Sequence, residues 1–187
     1  IRMGLSGSAW GFAFASWGWW VLQVLSPGWY TPAARMNRAK LMWENTRFGD
    51  QPFEFVNDDE SPQKGLWGPF ALGWIGTILI AIAVPIGATL LTAYVVSTYG
   101  IELDPENPLS YATYSAASFI LMLIVGMFFW LVVWAPYNAA ALNRIASLIA
   151  IDGARFRLKA KTISLFFVTL AGWIVTIFSL TLLAPIG

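Results

Sequence analysis

The sequence of 187 residues contains no cysteine and no histidine. These residues are the usual protein ligands of haem, zinc and iron–sulfur clusters, so their absence excludes the commonest centres of those kinds. Neither a G-x-x-x-x-G-K-[ST] phosphate loop nor a G-x-S-x-G nucleophile motif is present. The acidic run Asp58, Asp59 and Glu60 is more typical of a solvated linker than of a cation site, which needs several converging oxygen ligands. The sequence therefore predicts no catalytic residue, no cofactor and no metal.

Charge is also scarce. Only 11% of the residues are charged and 58% are hydrophobic, whereas a soluble domain is about 25% charged. Four windows without a charged residue are long enough for the roughly 20 apolar residues of a membrane-crossing helix. We predict an all-α integral membrane protein with four transmembrane helices, cytoplasmic amphipathic helices and short β-hairpins. The crossings are expected near residues 7–25, 69–97, 112–134 and 163–184.

The first window allows a second interpretation. If Ile1, Arg2 and Met3 formed a strand beside the later ones, a single crossing by residues 4–25 would leave that strand on the wrong side. The window would then be re-entrant.

Orientation follows from the basic residues. All but Arg2 of the eleven lysines and arginines fall between the first and second windows or between the third and fourth. Because cytoplasmic loops carry the excess of lysine and arginine, we predict that loops 26–65 and 135–162 are cytoplasmic. The loop 98–110 then lies on the opposite, periplasmic side.

Two segments, residues 29–55 and 134–158, carry a similar pattern. Each has a tryptophan and a proline at the end of a window, then an Asn-Arg pair in a helix, then a turn between two short strands. The turns are Gly49-Asp50, suited to type II′, and Asp152-Gly153, a strong type I′ signal. We predict one membrane domain, 1–187, with an imperfect internal repeat in which helices 33–46 and 137–148 precede hairpins 47–55 and 149–158.

Because an isolated hairpin is only marginally stable, the two hairpins are expected to join in one sheet. Glu54 and Arg157 could then be cross-strand partners, and Pro52 favours an edge position. The residues expected to be buried together are Phe53, Phe55, Phe156 and Leu158.

The stretch "YTPAARMNRAKLMWENTRFGDQPFEF" resembles the signature of the YjgN-like proteins, a family of bacterial inner-membrane proteins of unknown function. The resemblance is close over residues 29–55 and weaker over 134–158, where the Thr-Arg-Phe element is missing. It implies a multi-pass protein of the bacterial inner membrane, and it supplies no catalytic residues.

The predicted spans contain no Asp, Glu, Lys or Arg, which argues against coupled transport, since that chemistry places ionisable residues inside the membrane. The unusually high number of aromatic residues instead favours a role in contact with other molecules, because aromatic side chains carry much of an interface's affinity. We predict an accessory or stabilising subunit of a larger membrane complex, respiratory or photosynthetic, with a protein partner and membrane lipids but no nucleic acid. The candidate partner or lipid contacts are Trp74, Phe119, Phe128, Phe129 and Trp130, and the candidate lipid-headgroup contacts are Arg35, Arg38 and Lys40.

The alternative function is a passive channel or a transporter of lipids or small molecules. Its signature would be a continuous polar groove lined by Thr77, Thr89, Thr92, Ser115 and Ser118.

Overall fold

A computed structural model describes residues 3–56, 61–100 and 108–179. The described chain is mostly helical, with five short strands. In chain order the elements are β1 (Met3–Leu5), α1 (Ala9–Leu25), α2 (Thr31–Glu44), β2 (Thr46–Phe48), β3 (Gln51–Phe55), α3 (Trp67–Tyr99), α4 (Pro108–Leu148), β4 (Ile149–Ile151), β5 (Ala154–Arg155) and α5 (Thr162–Phe178).

The strands form one antiparallel sheet in the order β1-β2-β3-β4-β5. Two of its connections are tight turns. Gly49 has φ +61°, whereas Asp152 and Gly153 have φ +50° and +74°, which agrees with the predicted type II′ and type I′ turns. The other two connections are helix pairs, α1–α2 between β1 and β2, and α3–α4 between β3 and β4. A strand–helix–helix–strand unit therefore occurs twice, and the predicted joining of the two hairpins is confirmed by the β3–β4 pairing.

The register corrects two predictions. Glu54 lies opposite Ala150, and Ala150 in turn lies opposite Arg155. Since β4 separates β3 from β5 and Arg157 lies beyond the end of β5, the predicted Glu54–Arg157 pair is wrong. Pro52 is also not on an edge strand, because β3 lies between β2 and β4. Its missing N–H is tolerated because the register with β4 begins only at Phe53.

The predicted hydrophobic cluster forms only in part. Phe53 is 6% exposed and packs edge-on against Trp43, with ring centroids 5.0 Å apart. Phe156 contacts Phe53 but remains 45% exposed, and Leu158 is 47% exposed. The N–H of Phe156 still donates to Ile149 O at 3.1 Å, so the backbone stays beside β4 for one residue beyond Arg155, but the Phe156 side chain remains partly exposed.

The chain divides into two compact units. The first comprises Ile1–Phe70 and Pro136–Leu165, and the second Ala71–Ala135 and Phe166–Gly187. The first unit has a real core that includes Met36, Phe53, Leu66, Phe70 and Ile149. In the second unit Leu131 and Ala135 are buried, but most of the other described large apolar side chains are exposed.

Two helices in the described part of the chain, Trp67–Tyr99 and Tyr114–Leu148, are long and apolar enough to cross a membrane. A shorter apolar helix covers Thr162–Ile177. This agrees with a membrane protein, but the four predicted crossings are not confirmed. One helix, α4, runs from Pro108 to Leu148 through Pro136, so the predicted separation of a crossing at 112–134 from a collar helix at 137–148 is wrong. An internal proline costs a helix one hydrogen bond but does not always end it.

The first window differs most from the four-crossing prediction. Strand β1 pairs with β2 through Leu5 and Thr46, and Met3 and Phe48. The chain therefore leaves the sheet before α1 and returns to it after α2, which is the arrangement that the re-entrant interpretation of this window requires.

Candidate lipid and partner contact sites

The first candidate site is the basic cluster of α2, formed by Arg35, Arg38 and Lys40. Helix α2 carries a proline in its first turn, where a missing N–H costs no helical bond. The helix is buried at Pro32, Ala34, Met36 and Ala39, which point to more than one side. That packing fixes the helix and therefore the positions of the three basic residues.

Arg35 is held by the protein itself. Its Nη1 donates to Asn138 Oδ1 at 2.6 Å, and its guanidinium carbon lies 5.3 Å from the ring centroid of Tyr137. Both partners lie on α4, within the same compact unit. A guanidinium has five N–H donors, so these contacts orient Arg35 without using all of its capacity.

Arg38 and Lys40 differ in what surrounds them. The Nε of Arg38 is buried and has no hydrogen-bond partner among the described residues. Lys40 is exposed and forms an ion pair with Glu44 one turn later, Nζ to Oε1 3.8 Å. Arginine binds phosphate bidentately. Arg38 is half-buried, whereas Arg35 is held by Asn138 and Lys40 already has an anionic partner, so Arg38 is the stronger candidate in the basic cluster for an anionic headgroup.

A second Asn-Arg pair lies on α4 and acts within the protein. Asn143 Nδ2 donates to the carbonyl oxygen of Ala160 at 3.0 Å, and Asn143 Oδ1 accepts from the N–H of the same residue at 2.7 Å. Arg144 donates from Nε to Pro62 O at 3.2 Å and from Nη2 to Ser61 O at 3.1 Å. These two side chains therefore anchor the segments that precede α3 and α5.

The second candidate site lies between α3 and α4 in the second unit. At one end the two helices approach closely. A Cβ added at Gly76 would lie 2.7 Å from Val133 Cγ1, and one added at Gly73 would lie 3.1 Å from the Trp134 ring. Trp134 Nε1 also donates to Thr77 Oγ1 at 3.0 Å. Two glycines thus permit the contact, and a hydrogen bond to an indole fixes it.

Further along the same two helices an apolar groove opens, with a volume of about 360 Å³. We call it the main groove; its lining is aliphatic and aromatic and includes Leu79, Val84, Leu91, Leu121 and Phe129. Gly87 contributes no side chain to the groove, and an added Cβ there would meet nothing within 4 Å. Apolar grooves of this size take ligands or side chains of comparable volume.

The predicted contact residues lie on α3 and α4 and are half-buried or exposed. Phe129 lines the main groove, Phe119 lines a second groove, and Trp130 lines a third together with Trp173. Phe128 instead packs edge-on against Phe166 of α5, with ring centroids 5.7 Å apart. Trp74 is half-buried. The five residues are therefore distributed over several surfaces rather than gathered in one.

The hydroxyls expected to line a polar passage are largely engaged with the helices. Thr89 Oγ1 donates to Pro85 O at 2.9 Å, and Thr92 Oγ1 to Ala88 O at 2.8 Å. Thr92 and Ser118 hydroxyls also lie 2.8 Å apart across α3 and α4. The first two bonds stay within α3, and the third joins α3 to α4. Thr89, Thr92 and Ser118 also line the second groove.

Among the described residues, no three histidine, cysteine, aspartate or glutamate side chains come together as a metal site would require. The acidic run Asp58, Asp59 and Glu60 lies outside the described residues. The first candidate site presents cationic groups, and the second presents apolar groups.

The family described as "Bacterial protein of unknown function (DUF898)" matches residues 1–187, the whole chain. The chain belongs to this family. The YjgN-like membrane proteins are known members with this domain, so the resemblance seen in residues 29–55 is confirmed. No curated protein and no solved structure matches the chain.

In this member of the DUF898 family, the sequence indicated the basic cluster of α2 but not the role of the Asn143-Arg144 pair. The echo of Asn37-Arg38 at Asn143-Arg144 was visible in the sequence. What the sequence did not indicate is that the second pair binds backbone groups at Ala160 and Ser61, because those segments carry no motif of their own.

Proposed function

We propose that the protein is a non-catalytic subunit of the bacterial inner membrane that works by contact, as an accessory or stabilising part of a larger membrane complex. In this proposal α3, α4 and α5 cross the membrane. Loops 26–65 and 135–162 are cytoplasmic and loop 98–110 is periplasmic, in line with the distribution of basic residues.

The main groove is the observation that carries the proposal. It places Ala83 and Gly87 four residues apart on α3, the small-xxx-small spacing that lets a second helix approach a first. Within lipid, apolar surface alone does not drive helices together, so close packing of this kind supplies the association. The aliphatic walls and Phe129 provide van der Waals contact for an inserted ridge of side chains. We assign the groove to a transmembrane helix of another protein.

The alternative, a passive channel or transporter, has less support. The Thr77, Thr89 and Thr92 hydroxyls donate to backbone carbonyls of their own helix. A solute would have to compete with these bonds or pass through surface that is almost entirely apolar.

Site-specific photo-crosslinking in intact cells tests the proposal. A photoreactive phenylalanine analogue at Phe129 should cross-link one membrane protein in a defined product. Gly87→Leu should abolish that product because the new side chain fills the main groove, while its Cβ meets nothing in the chain itself. Gly172→Leu on α5 is the matched control, since a Cβ there is equally unobstructed, and it should leave the product unchanged.

Native mass spectrometry of the gently solubilised protein gives the stoichiometry of the same complex. Cross-linking to lipid alone, or a protein product that survives Gly87→Leu, would refute the assignment of the groove. Phospholipid or solute flux in liposomes that Gly87→Leu or Thr89→Leu abolishes would instead favour the transporter.

A further inference from the structure

We infer that α1 is a membrane-inserted helix that does not cross the bilayer, and that its exposed aromatic face lies against lipid on the same side as the sheet. The inference rests on the proposed crossing of the membrane by α3 and is independent of the proposed partner of α3 and α4.

Both ends of the α1–α2 pair are fixed at the sheet. Before α1, the N–H and the hydroxyl of Ser6 both donate to the carbonyl oxygen of Asn45, at 2.8 and 3.1 Å. Asn45 directly follows α2, and the flanking residues form the β1–β2 ladder. The chain therefore leaves the sheet through α1 and returns to it through α2.

Helix α2 does not suit a crossing. At 1.5 Å per residue, its 14 residues extend about 21 Å, against a hydrocarbon core of about 30 Å. It also includes Arg35, Arg38, Lys40 and Glu44. Placing four charged side chains in the bilayer interior would be very unfavourable, so α2 stays on the sheet side and α1 cannot have crossed.

The outward face of α1 nevertheless has the composition of a lipid-facing surface. No charged residue occurs from Met3 to Ala34. Trp10, Phe14 and Trp17 are 75%, 68% and 65% exposed, and their spacing of four and three residues places them on one face. The opposite face, with Ser16, Trp19 and Gln23, is half-buried, and α1 packs on α2.

The start of α3 indicates how deep in the membrane the turn between α1 and α2 lies. Trp29, in the turn between α1 and α2, stacks on Trp67 with ring centroids 6.5 Å apart, and it meets Phe70 edge-on at 5.7 Å. Trp67 and Phe70 are in the first turn of a helix long and apolar enough to span a membrane. Tryptophan concentrates at the headgroup level. The turn therefore lies where α3 meets the membrane surface, with the basic cluster of α2 beside it for anionic headgroups.

Single-cysteine variants can test this cleanly because the natural chain has no cysteine. In vesicles of phosphatidylcholine and phosphatidylglycerol, a membrane-impermeant maleimide should label Ser6→Cys and Ser61→Cys from the same side. Labelling of the two sites from opposite sides would overturn the inference, because it would require α1 to cross.

Spin labels identify what covers the aromatic face. A label at Phe14→Cys should collide several-fold more with oxygen, and several-fold less with a water-soluble nickel complex, than a label at Ser6→Cys. Leu90→Cys on α3 is the positive control for lipid, and Trp19→Cys is the control for a site facing α2. High accessibility of the Phe14 label to the nickel complex would mean that water covers the aromatic face. Low accessibility to both oxygen and the nickel complex would mean that a second protein surface covers it. Either result would overturn the assignment to lipid.

Discussion

The two Asn-Arg pairs of the chain occupy similar positions in similar segments, yet they are used differently. Asn143 and Arg144 bind backbone groups of Ala160, Ser61 and Pro62. In the earlier pair, Asn37 donates to the Tyr30 hydroxyl at a longer 3.3 Å, and the Nε of Arg38 has no hydrogen-bond partner among the described residues.

This difference lies in the partners of the two pairs. The later pair lies within α4, and its side chains bond to backbone groups of two connecting segments. For the earlier pair we propose a binding role, in which the half-buried guanidinium of Arg38 faces an anion from outside. Sequence similarity between two segments therefore predicts the shared fold of a helix and hairpin but not the use of its polar side chains.

The largest effect is expected from Asn143→Ala. It removes one donor and one acceptor and leaves the N–H and carbonyl of Ala160 without these partners, at a cost of about 2 kcal/mol of the free energy of unfolding. Thermal unfolding in detergent, followed by tryptophan fluorescence, should show a midpoint lower by about 4–8 °C. Asn37→Ala is the matched control, with a loss of about 0.5 kcal/mol. Equal losses in the two variants would contradict the comparison.

A smaller loss of stability is expected from Arg144→Lys. A guanidinium reaches two carbonyl oxygens through its planar fork, whereas an ammonium on a flexible stem cannot reproduce that geometry. The change should cost about 1 kcal/mol and make the chain near Ser61 more sensitive to limited proteolysis. Arg38→Lys should leave both readouts almost unchanged. Increased proteolysis in both variants would show that Arg38 also has a structural role.

Much of the fold could be predicted from local patterns. The Gly49-Asp50 and Asp152-Gly153 turns indicated two hairpins, and their limited stability alone required a shared sheet. The long charge-free windows indicated apolar helices. These predictions succeeded because turn chemistry and hydropathy are properties of neighbouring residues.

The register and the first window needed the three-dimensional structure. Whether Glu54 meets Ala150 or Arg157 depends on whether β4 or β5 lies beside β3, and no local residue type decides that. Likewise, a strand at the start of the chain was only a second interpretation, because Met3–Leu5 is short and its partners Thr46 and Phe48 in β2 lie more than 40 positions away. The main groove was missed for the same reason, since it depends on how α3 and α4 pack between the close contact at Gly76 and the Thr92–Ser118 hydrogen bond.

For Arg38 the comparison predicts a change in lipid binding instead of stability. Arg38→Gln should weaken binding of the detergent-solubilised protein to phosphatidylglycerol by about fivefold, since one cation near an anionic surface contributes about 1 kcal/mol. Binding to phosphatidylcholine should not change. Arg144→Gln is the control and should retain its preference for phosphatidylglycerol. If both variants lose the preference equally, the anion is attracted by net charge and not by Arg38.

The smallest effect is expected at Lys40, whose ion pair with Glu44 is exposed. An exposed pair one helical turn apart contributes about 0.3–0.5 kcal/mol, and salt screens it. Lys40→Ala should therefore lower the unfolding midpoint by no more than about 2 °C in low salt, and the difference should vanish in high salt. Its effect on phosphatidylglycerol binding should be weaker than that of Arg38→Gln, because the ammonium already has an anionic neighbour. If Lys40→Ala weakened lipid binding more than Arg38→Gln, the binding role would belong to Lys40. The contrast between the two Asn-Arg pairs would then have no functional meaning.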